Sequence, residues 1–425
     1  MRTINIGIAG LGTVGSGVVS VLQKNKSFGV PLNIAKIAEI DHEKRNSIKI
    51  DSPCLISDAR KLIDDSGVDI VVELIGGCSV AKDIVIGALK NGKTVVTANK
   101  ALLAEYGEEI FETAEKSTAD IYYEASVAGG IPIIKILREG LIANKISSVF
   151  GIVNGTSNYI LTKMQEDNAD FKGALTEAQK EGYAERDPTL DIEGIDSAHK
   201  LTILASLATG QWIDLKDIYI QGISHITHSD ISYAEELGYS IKLLAICKNE
   251  KGKIEVRVHP TLLPKQHQLS WVRGVYNAIF VIADNVGNQL FYGRGAGSLP
   301  TASAVVADIV DAARNLSMGI KHRIPLVKQE KSSAKLVHMD NVMSQCYLRF
   351  TTLDRPGVLA KIAGILGKNG ISIASVLQKG RHKVNAVPIV VMTHKAYEKD
   401  INKALTDIDK LEEVKAKTVM IRVEE

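Results

Sequence analysis

Residues 6–17 read IGIAGLGTVGSG, and this stretch decides the fold. An apolar run, Ile4–Ala9, enters it, and an amphipathic pattern over Val14–Gln23 leaves it. Gly10-Leu11-Gly12-Thr13-Val14-Gly15 therefore stands between a strand and a helix, the setting in which G-x-G-x-x-G carries meaning. Gly10 permits the tight turn, Gly12 lets the backbone approach a pyrophosphate, and Gly15 allows close packing of helix on strand. Free N–H groups in the helix's first turn, at Thr13 and Val14, attract phosphate together with the helix dipole. The alternative is a glycine turn without a ligand.

The following hundred residues repeat the same rhythm. Further strands are expected at Ile34–Ile40, Asp69–Leu74, Thr94–Thr97 and Ile121–Glu124, with helical patterns at Val80–Asn91 and Ala101–Lys116. Continuous apolar strands separated by helices indicate an α/β chain with a Rossmann-type, doubly wound parallel sheet. From about residue 131 the pattern changes. Helical segments (Pro132–Asn144, Thr156–Asn168, Thr176–Gly182, Asp196–Thr209) mix with longer strands at Ser147–Val153, Ile241–Cys247, Ile254–His259 and Ala278–Asp284. The Asn249–Gly252 turn joins two of these as a hairpin. This reads as a second, α+β domain with a mixed sheet. A glycine-rich segment, GRGAGSLPTASAV at 293–305, then leads into a helix that returns the chain to the first domain. The expected division is 1–131 with 298–320 returning to it, 132–297, a polar linker at 321–345, and a terminal module at 346–425.

Composition narrows the class. Apolar residues make up 45% and charged residues 24%, ordinary for a globular protein of two or three domains. A net charge of +2 offers no footprint for nucleic acid or an anionic membrane. Cys54, Cys78, Cys247 and Cys346 lie far apart without C-x-x-C spacing, which fits a reducing cytoplasm. No run approaches the ~18–20 apolar residues of a membrane span, and no signal peptide is recognisable.

Two further segments carry chemistry. Residues 181–200, EGYAERDPTLDIEGIDSAHK, hold six carboxylates (Glu181, Glu185, Asp187, Asp191, Glu193, Asp196) and end on Lys200. Acids this dense repel unless a cation or solvent sits among them, which points to a pocket for an ammonium-bearing ligand. The plainer account of Lys200 is an i,i+4 ion pair with Asp196 at a helix start. Lys100 follows the Thr94–Thr97 strand, and carboxyl ends of such strands face the ligand crevice; otherwise it is an exposed lysine opening a helix. Glu39 and Asp41 end the second strand, where an acid binds ribose hydroxyls, while Lys44 and Arg45 could grip a 2′-phosphate. NAD and NADP both remain open. Together these features describe a nicotinamide-dependent dehydrogenase of an amino acid.

Six elements in order, GLGTVG (10–15), VVTANKALLA (95–104), YEASVAGGIPII (123–134), NGTSNYIL (154–161), EGYAERDPTLDIEGIDSAHKL (181–201) and GRGAG (293–297), resemble homoserine dehydrogenase over residues 1 to about 320. The resemblance implies reversible, NAD(P)H-dependent reduction of L-aspartate 4-semialdehyde to L-homoserine, in the synthesis of threonine, methionine and isoleucine. It implies Lys200 as proton donor with Lys100 as second cation, and substrate contacts from Glu185, Asp191, Asp196 and Tyr183. Gly182 and Gly297 join Gly10, Gly12, Thr13, Val14, Gly15, Glu39 and Lys100 at the cofactor. A structural sodium ion is implied at Glu124 and the main-chain carbonyls of Val127, Gly129 and Ile131, oxygen ligands that suit a hard cation. In the other reading Glu124 caps the helix at Pro132.

Residues 346–425 resemble an ACT domain, a βαββαβ module that binds amino acids. Tyr347–Thr352 gives the first strand, Asp354-Arg355-Pro356-Gly357-Val358-Leu359 the turn into a helix, and Gly370-Ile371-Ser372-Ile373 the next turn. The resemblance implies feedback by an amino acid such as threonine, or else support of a homodimer or homotetramer. A deaminating dehydrogenase and a non-catalytic amino-acid sensor are the competing readings. With no kinase-like region ahead of residue 1, a single activity is expected.

Overall fold

The structure, a computed structural model, describes residues 2–25, 27–46, 54–325, 335–378 and 386–425. The chain begins β1 (Ile4–Ala9), α1 (Thr13–Lys24), β2 (Leu32–Ala38), α2 (His42–Asn46), β3 (Leu55–Ile56), α3 (Lys61–Asp64) and β4 (Ile70–Glu73). It continues with α4 (Ser79–Lys90), β5 (Thr94–Thr97), α5 (Lys100–Lys116), β6 (Ile121–Tyr122), α6 (Ile133–Lys135) and β7 (Ile146–Ile152). Next come α7 (Gly155–Glu166), α8 (Phe171–Lys180), α9 (Thr189–Ile192), α10 (Ile195–Thr209), β8 (Tyr219–Ile220), α11 (His228–Glu236), β9 (Tyr239–Glu250) and β10 (Lys253–Pro264). The remainder is β11 (Tyr276–Ala283), β12 (Gly287–Arg294), α12 (Ser298–Ser317), β13 (Lys335–Leu336), β14 (Met343–Thr352), α13 (Val358–Lys368), β15 (Ile373–Leu377), β16 (Val387–Thr393), β17 (Ala396–Tyr397), α14 (Glu398–Ile408) and β18 (Val414–Val423). These elements form two compact units, Met1–Val149 with Ala198–Lys216 and Tyr276–Ser333, and Phe150–Ser197 with Asp217–Val275 and Ala334–Glu425.

In the first unit six parallel strands lie in the order β3-β2-β1-β4-β5-β6. This is the doubly wound order, with its switch point between β1 and β4. Every residue of β4 and β5 is buried, as expected for central strands covered on both faces. Ile6, Ile8, Val72 and Val96 pack into one core with Ala302, Val305 and Ile309 of α12. Gly17 makes that approach possible: a Cβ there would stand 2.8 Å from Ser298 Oγ and 3.0 Å from Ala302 Cβ.

The second unit is built on a mixed sheet. β9 and β10 form a long antiparallel hairpin, turned by Lys251 (φ 50°) and Gly252 (φ 75°) where a hairpin turn is expected. β10 also pairs in parallel with β8, β13 and β18. Through β18 the sheet runs on into β14, β16 and β15. Helices α13 and α14 cover that end, burying Ile362, Leu366, Ile401 and Ile408 against Leu348 and Phe350. The terminal module is thus βαββαβ, with the short β17 added.

Several expected boundaries move. The helix expected over Pro132–Asn144 ends after α6 in a π-helical turn at Ile136–Gly140, where Leu141 N bonds Ile136 O at 2.8 Å. The one expected at Thr176–Gly182 begins earlier, at Phe171, because Asp170 caps it and accepts from Gly173 N at 2.7 Å. β3, α11 and β12 have no counterpart in the sequence reading. Of residues 321–345, read as a linker, 326–334 lie outside the described residues; Lys335–Leu336 pair with β10, and β14 begins at Met343.

Candidate active site

Three loops meet at the carboxyl ends of β1, β4 and β5. In the first, Gly10 has φ 99°, and a Cβ there would strike Leu74 O at 2.7 Å. A Cβ on Gly15 would lie 2.1 Å from Gly10 O, so helix and turn touch backbone to backbone. Gly12 differs: among the described residues nothing lies within 4 Å of the space its Cβ would take. It is the N-cap of α1, and no side chain caps that helix. The first-turn amides, including those of Thr13 and Val14, thus receive no side-chain cap from the N-cap position and adjoin open space at Gly12, which fits the pyrophosphate of a dinucleotide.

Glu39, at the end of β2, turns its carboxylate back onto this loop, accepting from Leu11 N at 2.7 Å, Ile40 N at 2.9 Å and Asp41 N at 3.0 Å. Burial opposes ionisation, but these N–H groups hold its carboxyl below the usual range. Arg45 bonds the carbonyls of Glu39 and Ile40, and Lys44 lies 3.8 Å from Asp41. The edge of the nucleotide surface therefore carries both an acid and bases.

At β4 the structure reveals a residue the sequence reading passed over. Glu73 is fully buried and accepts from Thr97 Oγ1 at 2.7 Å, Ile75 N at 2.9 Å and Gly76 N at 3.3 Å. Burial raises its pKa. Asn99 caps α5 by accepting from Leu102 N, and its Nδ2 donates to Gly77 O at 2.7 Å. Two adjacent loops are thereby locked together. Lys100, half-buried, opens α5 immediately beyond them.

Glu124 follows β6. Its two carboxylate oxygens accept from Ile134 N and Lys135 N, each at 2.8 Å, which is the helix-capping arrangement. Burial pushes its pKa up to about 7. Its own N–H donates to Asp308 Oδ2 at 2.8 Å, and Asp308 is raised well above the carboxylate range, first by its burial and then by Glu124. Ala128 (φ 54°) and Gly129 (φ 48°) curl the loop that carries Val127, Gly129 and Ile131. Gly129 sits against Gly295, whose oxygen would be 2.6 Å from an added Cβ. Gly297, at φ 122°, then opens α12, where Ser298 Oγ donates to Thr13 O at 2.8 Å.

In the second unit the acid-rich loop is organised by the first turn of α7. Asn154, its N-cap, is buried and accepts from Ser157 N at 2.8 Å. Its Nδ2 donates to both Asp191 Oδ1 (2.7 Å) and Asp196 Oδ2 (2.8 Å). Thr156 Oγ1 holds Tyr183 O at 2.7 Å, and Ser157 Oγ holds Asp191 O at 2.8 Å. Asp191 and Asp196 are thus brought together by a neutral amide, which relieves part of the repulsion that the sequence reading left to a cation or solvent. Glu185, Gly182 and Tyr183 remain at the surface, with Tyr183 against Tyr159 at a centroid distance of 4.9 Å. Lys200 lies one turn beyond Asp196 along α10, on the stretch of that helix counted with the first unit, and is 8% exposed, so it is no solvated surface lysine. Asn154 stood in the quoted NGTSNYIL run; its Asn-Gly-Thr-Ser opening is a readable N-cap signal, but its partners are remote.

Comparison with known proteins agrees with this architecture. The profile described as homoserine dehydrogenase matches residues 132–310, that of the homoserine dehydrogenase NAD-binding domain residues 10–124, and that of the ACT domain residues 347–413. A homoserine dehydrogenase of Neisseria gonorrhoeae is 47% identical, covering 100% of this chain and 99% of its own. The crystal structure of one from Thiobacillus denitrificans superposes with a TM-score of 0.94 at 45% identity, over 100% of this chain and 99% of that one. A hyperthermophilic archaeal homoserine dehydrogenase in complex with NADPH gives 0.64 at 30% identity, over 74% and 98%. Likeness of this degree, running the whole length of the sequence, leaves one reading: the chain belongs to the homoserine dehydrogenase family, oxidoreductases that act on a CH–OH group with a nicotinamide cofactor.

Proposed function

We propose that this enzyme interconverts L-aspartate 4-semialdehyde and L-homoserine, on the route to threonine, methionine and isoleucine, with Lys200 as proton donor. The observation that carries the reading is the joint seating of Asp191 and Asp196 by Asn154, with Lys200 one helical turn farther along α10. Paired carboxylates attract the substrate's α-ammonium, and Glu185 and Tyr183 border the same loop. When bound, NAD or NADP supplies or accepts the hydride. Gly10, Gly12, Thr13, Val14, Gly15 and Glu39 hold its phosphates and ribose, with Gly182 and Gly297 as further contacts.

Reduction of an aldehyde builds negative charge on its oxygen, and a buried ammonium that donates a proton there lowers the barrier. In the oxidation of homoserine the neutral Lys200 amine takes the hydroxyl proton. Lys100, placed at the carboxyl end of β5, serves as the second cation. A monovalent cation such as sodium suits the curled loop through the carbonyls of Glu124, Val127, Gly129 and Ile131, since the Glu124 carboxylate already serves two N–H groups. The ACT module is the seat for an amino-acid effector, threonine first among the candidates. The working form is a homodimer or homotetramer. Among the described residues no helix is long and apolar enough to cross a membrane, and we place the enzyme in the cytoplasm.

The test is steady-state oxidation of L-homoserine with NAD and NADP in parallel, for the wild type and Lys200→Met. Turnover should vanish in the variant while cofactor still binds. Near-normal turnover would remove Lys200 from the mechanism.

A further inference from the structure

The terminal module and the acid-rich loop belong to one compact unit, and a buried guanidinium of the module faces the segment that packs on the loop. Arg422, on β18, is 1% exposed. Its Nε and Nη2 donate to the two oxygens of Glu398, at 2.6 and 2.9 Å, and Glu398 opens the module's helix α14. The third nitrogen turns away from the module. Arg422 Nη1 donates to Gln221 Oε1 at 2.7 Å, and the guanidinium lies 4.9 Å above the ring of Tyr219.

Gln221 is next to the acid-rich loop. Its successor Gly222 is pressed so closely that a Cβ would meet Ile192 O at 2.3 Å and Glu193 Cα at 2.5 Å. Ile223 N donates to Ile192 O at 2.8 Å. Ile192 directly follows Asp191, and Gly194 (φ 82°) begins the turn that delivers Asp196. The contact is backbone on backbone, so residues 221–223 cannot shift without moving 192–194.

We propose that Arg422 is a positioning residue for the amino-acid substrate: acting through Gln221, it fixes the backbone against which Asp191 and Asp196 are set. This deepens the reading above and rests on the substrate roles given there to the two aspartates. Neither Arg422 nor Gln221 touches substrate. Their effect is on where the carboxylates stand.

The test uses full-length Gln221→Met, which removes the acceptor while Arg422 keeps Glu398. Hydrogen exchange at the amides of residues 191–194 should accelerate about tenfold. The KM for homoserine should rise roughly fivefold, with kcat and the cofactor KM within about twofold of wild type. Gln221→Glu, which offers the guanidinium an acceptor again, should restore both readouts. Should Gln221→Met fail to fold, Tyr219→Phe removes the hydroxyl that accepts from Arg422 Nη2 and donates to Gln221 Oε1, each at 3.2 Å, and should shift both in the same direction. Unchanged exchange at 191–194 overturns the proposal, as does an equal rise in both KM values. Faster exchange with an unchanged homoserine KM upholds the Arg422 link and instead removes the substrate roles of Asp191 and Asp196, which Asp196→Asn reports independently.

Discussion

Asn154 Nδ2 stands 2.8 Å from Asp196 Oδ2, and the same nitrogen reaches Asp191 Oδ1 at 2.7 Å. An amide has two N–H bonds to give, and both are spent on carboxylates that repel each other. The side chain's oxygen meanwhile caps α7. Asn154→Ala therefore removes three bonds together. The lost cap costs about 1 kcal/mol, and the buried Asp196 and half-buried Asp191, each with one donor fewer, add about 1–3 kcal/mol. The homoserine KM should rise roughly tenfold as the carboxylates separate, with little change in the cofactor KM. Urea denaturation and initial rates check both; a stability loss without any change in homoserine KM would sever Asn154 from substrate binding.

The glycines of the nucleotide turn make opposite predictions. Gly15 faces Gly10 O at 2.1 Å from an added Cβ, so Gly15→Ala must push backbone from backbone. A destabilisation of about 1–3 kcal/mol or more is expected. Gly12 has open space and an ordinary φ of −65°. Gly12→Ala should leave stability within about 1 kcal/mol, or improve it slightly by restricting the unfolded chain. Its methyl instead occupies the cofactor's ground, and a cofactor Kd weakened about tenfold is expected. Titration and thermal melting of both variants separate the two roles, which are the ones the G-x-G-x-x-G spacing leads one to expect.

What could be read in advance was local. The turn at Gly10–Gly15 announces itself because strand, glycines and helix adjoin, and the Lys251–Gly252 turn of the β9–β10 hairpin does so for the same reason. The acid-rich loop was visible as a density of charge. Its partners were not: Asn154 is 37 and 42 residues from the aspartates it joins, and Arg422 is 201 residues from Gln221. Glu73 was hidden by its setting in an apolar run, where a lone acid reads as a strand's polar end. The π-helical turn at Ile136–Gly140 shares its amphipathic pattern with an ordinary helix, and only the Leu141–Ile136 bond tells them apart.

Asp230 ties the terminal module to α11. It completes a capping box with Thr227, takes Arg349 through both oxygens at 2.6 and 2.9 Å, and accepts from Tyr347 Oη at 3.0 Å. Arg349 and Tyr347 belong to β14, and Asp230 is wholly buried. Asp230→Ala leaves that guanidinium without its counter-charge, at a cost of about 3–5 kcal/mol. Because β18 also extends the β10 sheet, the module should not melt by itself. Calorimetry of the full chain should show residues 346–425 unfolding with the rest of their unit. A separate early transition in the wild type would contradict this.

Lys242 gives the pH dependence a sign. On β9 and 1% exposed, it donates to Val272 O at 2.5 Å and Asn158 Oδ1 at 3.3 Å. Burial, followed by the charge of Arg273, lowers its pKa to about 7 from the ordinary 10.5. Between those values the unfolded chain holds a proton that the folded chain does not, so stability gains with rising pH. Below about 7 both states hold it, and the cost of the buried charge is constant there. Lys242→Met, of similar length, removes the charge. Its Tm relative to wild type should be highest at pH 6 and fall as the pH is raised from 7 to 10, because the wild type alone is relieved. Thermal melts of both proteins across that range decide the matter. A Tm difference independent of pH would mean that Lys242 keeps its proton in the fold, balanced by the carbonyls it faces.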